Sequence, residues 1–66
     1  FRITIAELLN FRETPSMRSK VITTLPIGTL VEIIDKSHRS WLLVEVEIDG
    51  VLEQGWVFRR YTTYFK

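Results

Sequence analysis

The chain carries one histidine, His38, in the polar tip Ser37-His38-Arg39-Ser40, with Asp35 three residues before it. These are the residue types of a nucleophile, a general base and an orienting carboxylate. A triad, however, needs three side chains hydrogen-bonded in series, and adjacency along a loop does not provide that geometry. Metal chemistry has no better footing: a tetrahedral site takes three or four His, Cys or carboxylate ligands, and the chain has no cysteine and no second histidine. Glu45, Glu47 and Glu53 are the right type for an acid/base pair, but carboxylates spaced along a hairpin normally form a solvated face. Gly28, Gly50 and Gly55 are too far apart to build a phosphate-cradling loop. The expectation is a chain that is not an enzyme, with no catalytic residue, no metal and no cofactor.

The other side chains with chemistry to offer are aromatic. Such rings bring large contact area at small entropic cost, and Trp and Tyr keep a polar handle, which suits them to binding. Phe58 and Tyr61 stand three apart, and a 3₁₀ turn at Arg59-Arg60 brings both rings out on one side. Trp41 opens a strand directly after a polar loop, where a large ring is hard to cover completely. Trp56, between Gly55 and Val57, reads as a core residue that closes the sheet. Arg12 is placed to flank the same groove. Arg18 and Lys20, Lys36 and Arg39, and Arg59 and Arg60 would imitate a single-strand nucleic-acid platform if they converged near these rings. With eight acids interspersed and a net charge of +1, nucleic acid is not the expected partner.

These residues must be held by strands. Leu42, Val44, Val46 and Ile48 alternate with Leu43, Glu45 and Glu47, so one face asks for a core and the other for water. Asp49-Gly50 follows, a dipeptide that tolerates the two positive φ angles of a type I′ hairpin. Earlier β-prone runs cover 2–5, 9–12, 21–25 and 29–35, and Pro26-Ile27-Gly28 marks a turn between the last two. Pro15 keeps the polar loop 13–20 out of any helix. A competing reading is a single helical turn over 4–11, where Thr4 and Glu7 have capping-box spacing. Five or six short antiparallel strands at this spacing indicate an all-β barrel or sandwich.

A chain of 66 residues, 45% of them hydrophobic, is one domain near the smallest size that a single core stabilises unaided. With no cysteine, stability comes from packing alone. No apolar run approaches the roughly 20 residues of a membrane span, and the beginning lacks the pattern of a signal peptide. The chain starts at Phe1 without methionine, so residues 1–66 are expected to be a domain cut from a longer protein.

With these segments placed, the order of landmarks resembles the bacterial Src-homology-3-like family, a small barrel often appended to cell-wall enzymes and also found in intracellular proteins. The resemblance runs from Thr4 to Tyr61. It is carried by Leu9-Asn10-Phe11-Arg12, Pro15-Ser16, the strand and turn from Val21 through Gly28 to Thr29, Val31-Glu32-Ile33, Trp41, and Gly55-Trp56-Val57 with Tyr61. Thr14 departs from the pattern, in which a glycine commonly precedes the proline. Phe58 stands where the eukaryotic relatives have a proline, so proline-rich peptides are not implied.

The resemblance implies an SH3-like barrel with a short 3₁₀ turn near Arg59-Tyr61, acting as a non-catalytic binding module. Family habit makes the ligand peptidoglycan or cell-wall peptides. Trp41, Phe58 and Tyr61 would form an apolar shelf, with Arg12, Ser16 and Ser19 supplying polar contacts. The alternative is a protein-interaction module docking a partner or another domain of its parent chain. Family habit favours the cell envelope or the extracellular space, and the cytoplasm is compatible as well.

Overall fold

Seven strands form, in the order β1 (Arg2–Thr4), β2 (Leu8–Arg12), β3 (Val21–Pro26), β4 (Leu30–Asp35), β5 (Trp41–Ile48), β6 (Val51–Phe58) and β7 (Thr62–Tyr64), with a 3₁₀ turn at Arg59–Tyr61 between the last two. The computed structural model describes residues 1–65. All pairings are antiparallel, and the strands assemble in the order β3-β2-β6-β5-β4-β1-β7. The fold is the small all-β architecture that the patterning predicts, with the ladder left open between β3 and β7. The strand beyond the expected five or six is β7, formed from Thr62-Thr63-Tyr64. The helical turn considered over 4–11 does not form; that stretch holds the end of β1, a bend and β2.

The Asp49-Gly50 turn sets the register. Both residues have positive φ, 52° and 82°, as a type I′ connection requires. Ile48 therefore pairs with Val51, and the ladder runs without a break back to Trp41 opposite Phe58. This register decides which side chains face inward. Leu42 pairs with Val57 and Val44 with Gly55, and these positions belong to the buried side. Leu43 pairs with Trp56 on the opposite side.

The core contains Leu9, Phe11, Leu25, Val31, Leu42, Val44, Val46 and Val57, with Ile22 and Ile48 packed against it. Burying each such side chain stabilises by about 1.5–3 kcal/mol. Gly55 is required by this packing, because a Cβ there would lie 2.7 Å from the Phe11 ring and 2.9 Å from the Arg12 carbonyl oxygen. Register shifts interrupt the ladders between Phe11 and Arg12 and between Ile33 and Asp35, and such bulges add twist that wraps the strands around the core.

A buried threonine ties the first strand to the β3–β4 turn. Thr4 Oγ1 donates to the Pro26 carbonyl at 2.7 Å and accepts from the Thr29 N–H at 2.9 Å. The Gly28 N–H donates to the Thr4 carbonyl at 2.9 Å, with Gly28 at a φ of 86° that glycine adopts without strain.

Candidate functional site

The site is built where the β5–β6 ladder ends. The register brings Trp41 and Phe58 face to face, and their rings stack with centroids 4.1 Å apart and planes 22° from parallel. The chain then enters the 3₁₀ turn, where the Arg59 N–H donates to the Ser40 carbonyl at 2.9 Å. One turn later the Tyr61 ring meets Phe58 edge-on, at 6.0 Å and 78°. Phe58 is thus held from two sides, by close ring contact with Trp41 and by the edge-to-face arrangement with Tyr61 that aromatic quadrupoles favour.

Phe58 and Tyr61 emerge on one side and line an open cavity of about 380 Å³ with Ala6, Leu8, Arg12 and Met17. Its rim is apolar and solvated, since Leu8 and Met17 are 66% and 62% exposed. Trp41 is not on the surface of this cavity: it is 6% exposed and lies beneath Phe58 as its support.

Arg12 combines two roles. It is 7% exposed, yet it is one of the residues that line the cavity. Nη1 donates to the carbonyls of Met17 at 3.2 Å and Ser19 at 2.9 Å, so a cation on β2 pins the loop 13–20 that carries Met17. Ser19 Oγ accepts from the Thr14 N–H at 2.9 Å and closes the loop from the other end. Thr14 fits in place of the family's glycine because it is not at positive φ; among the described residues, Asp49 is the one non-glycine that is. Ser16 is exposed and turned into its own loop, its Oγ accepting from the Arg18 N–H at 3.1 Å.

The loop 36–40 is pinned in the same fashion from the other side. Arg59 Nε donates to the Arg39 carbonyl at 3.1 Å, and Nη2 donates to the carbonyls of Lys36 at 2.8 Å and His38 at 2.7 Å. His38 Nδ1 accepts from the N–H groups of Ser40 at 3.1 Å and Trp41 at 3.3 Å. Asp35 Oδ1 accepts from the Ser37 N–H at 2.8 Å, and this bond is the main cause that holds its carboxyl below the usual range. Asp35 and His38 thus each serve backbone groups of the loop, an arrangement that builds a turn and not a proton relay. Among the described residues no group of three His, Asp or Glu side chains converges to hold a metal.

Trp56 corrects the sequence reading. It is half-buried on the outer side, opposite Leu43, with the His38 ring edge-on at 6.4 Å, while Val57 and Gly55 take the inward positions. The two-residue turn carried the signal: once Ile48 pairs with Val51, inward Leu42 must pair with Val57, and Trp56 must face out. Leu8 and Met17 were missed as lining residues. Their exposed apolar character is written in the chain, but their meeting depends on how Arg12 folds the loop.

The family model for the bacterial SH3 domain matches residues 7–63, which takes in the Arg12 loop, the β5–β6 hairpin and the 3₁₀ turn. No curated protein and no solved structure matches the chain.

Proposed function

Because the chain belongs to the bacterial SH3 domain family, whose members are binding domains and generally non-catalytic, we propose that it recognises the peptide portion of peptidoglycan and is not itself an enzyme. The cavity between Tyr61 and the Arg12 loop is the binding groove in this reading. Phe58 and Tyr61 form its floor, Trp41 holds Phe58 in place, and Arg12 shapes the wall that carries Met17. The observation that carries the reading is the Trp41–Phe58–Tyr61 aromatic cluster beside exposed Leu8 and Met17. A pre-ordered aromatic floor loses little conformational entropy when a ligand covers it. An apolar groove with few polar groups suits a short peptide better than a bare sugar, whose hydroxyls would each need a partner.

The test is a two-dimensional NMR titration of the labelled domain with soluble peptidoglycan fragments, paired with cosedimentation on purified cell walls. Shifts confined to Leu8, Met17, Phe58 and Tyr61 are expected. An unperturbed spectrum together with no cosedimentation would sink the proposal.

A second reading rests on the same exposed rim. Leu8 lies beside Pro26 in the β2–β3 ladder and Ile27 is also exposed, so the groove edge offers a protein partner an apolar contact. In that reading the groove docks another protein or another domain of the parent chain. Its amide signals would then be shifted and protected in a longer protein without any cell-wall ligand.

A further inference from the structure

On the other side of Phe58 lies a second cleft, of about 470 Å³, lined by Arg2, Arg39, Arg59 and Arg60 together with Phe58 and Thr62. Four arginines meet there, and among the described residues no carboxylate lines the cleft. The chain has eight acids to place, and it places none of them here.

Two of these cations are built in. Arg2 is 8% exposed, its Nε donating to Thr62 Oγ1 at 2.6 Å and its Nη2 to the Thr62 carbonyl at 2.8 Å, with its guanidinium 4.4 Å from the centre of the Tyr64 ring. Thr62 Oγ1 donates in turn to the Arg59 carbonyl at 2.9 Å, and the Arg59 guanidinium is held by three loop carbonyls. Each of these partners is neutral. They orient the two cations without compensating their charge, although a buried charge such as that of Arg2 is ordinarily paired with an opposite one. Arg39 and Arg60 are exposed at the mouth of the cleft, and Arg60 leans over Tyr61 at 5.4 Å. Two held cations with two exposed arginine forks in the same cleft suit a planar anion.

We propose that this cleft is an anion subsite that takes the terminal carboxylate of a peptide laid across Phe58, with the peptide's apolar part in the Leu8–Tyr61 groove. The subsite deepens the groove reading above and borrows from it the peptide half of the ligand. Phe58 lines both cavities, so an extended chain passes from one to the other over a single ring. The positive charge is local, in a chain whose net charge is +1, which fits one anionic group better than a polyanion. The same forks would grip a phosphate group, and the test separates the two sources.

The experiment records backbone and arginine Nε–H signals of the labelled domain with three probes at matched ionic strength in chloride: acetyl-Leu-Ala-Ala as the free acid, the same tripeptide as its C-terminal amide, and inorganic phosphate. The free acid is expected to shift Arg2, Arg39, Arg59 and Arg60 together with the groove and to bind at least tenfold more tightly than the amide. R39Q/R60Q is expected to bring the free acid down to the amide's affinity, with unchanged Leu42 and Val57 signals reporting an intact fold. Equal binding of acid and amide, or cleft shifts that chloride alone reproduces, would overturn the subsite. Phosphate filling the cleft at lower concentration than the acid would overturn its assignment to a peptide carboxylate. Cleft shifts from the acid with a silent groove would keep the subsite and remove the groove reading, whereas groove shifts from both peptides with a silent cleft would do the reverse.

Discussion

Two loops frame the aromatic floor, and each is held by one arginine, yet the two arginines work in different surroundings. Arg12 reaches from β2 to the carbonyls of Met17 and Ser19 and is itself almost fully covered. Arg59 reaches from the 3₁₀ turn to the carbonyls of Lys36, Arg39 and His38, in bonds that stand open to solvent. The guanidinium fork supplies several donors in a fixed plane, so in both places one side chain organises a loop that has no ladder of its own. Burial sets the difference in energy. When a covered donor is removed, its acceptors are left without water, whereas acceptors at an open site are rehydrated. The covered arginine therefore governs the fold, and the open one governs a local shape.

Removing Arg12 is the most severe way to break this comparison. Arg12→Leu is expected to cost about 2–3 kcal/mol of unfolding free energy, because two part-buried carbonyls lose a charged donor. It would lower the urea midpoint without changing the denaturant slope. Faster amide exchange through residues 13–20 should accompany it, since the Met17 side of the groove rests on this contact. Arg12→Lys keeps the charge and loses the planar fork, so it is expected to recover part of the stability and little of the loop protection. Full recovery by lysine would show that charge alone holds the loop.

Arg59→Ala is the matching cut on the open side. Its expected cost is smaller, about 1 kcal/mol, even though three carbonyls lose their donor instead of two, because water takes its place. Exchange should quicken in residues 36–40 and leave 13–20 untouched. A loss as large as that of Arg12→Leu would show that the number of bonds, and not their burial, sets the cost.

The two loops also differ in how much of them the sequence reveals. The β5–β6 register is legible: the alternation from Leu42 to Ile48 and the Asp49-Gly50 turn follow from period and φ preference alone, and they place Phe58 beside Trp41. The step from Phe58 to Tyr61 across the 3₁₀ turn is legible for the same local reason. Trp56 is misread when its hydrophobicity is weighed ahead of the register that the turn had already fixed. Arg12 is singled out in the sequence as a flank of the groove, but its grip on Met17 and Ser19 depends on the path of a loop that has no periodicity. The Arg2–Thr62 contact joins residues 60 apart and exists only because β1 pairs with β7, a pairing that no local pattern announces. Long-range polar contacts stay hidden because a guanidinium accepts any carbonyl of suitable geometry, and the sequence states the type without the geometry.

His38→Ala probes the open loop more gently. The imidazole Nδ1 is an acceptor for the exposed Ser40 N–H and, at 3.3 Å, for the part-buried Trp41 N–H, so the expected loss is about 0.5 kcal/mol. The more informative readout is the Trp41 amide. Its exchange should quicken while the Trp41–Phe58 stack persists, because that stack is fixed by the β5–β6 register. Loss of the stack, read by tryptophan near-UV circular dichroism, would make His38 a support of the aromatic floor.

The smallest expected effect belongs to Asp35, the residue that begins the open loop. Its carboxylate is fully solvated and is held below its ordinary value of 3.8 chiefly by the Ser37 N–H, then by the Ser37 hydroxyl, with the charge of His38 as a lesser cause. A carboxyl whose folded value is depressed favours the folded state above the unfolded value, and the benefit is lost as pH falls through the folded value. Asp35→Asn retains an acceptor oxygen and discards the charge, which isolates this contribution. The wild-type protein should melt slightly above D35N at pH 7, and the gap should close on acidification below pH 3.8. A gap that widened on acidification would reverse the sign assigned to the Asp35–Ser37 contact. A gap unchanged down to pH 2 would mean that the bond geometry, and not the charge, shapes this loop, and Arg59 would then be the one charged group that the open loop depends on.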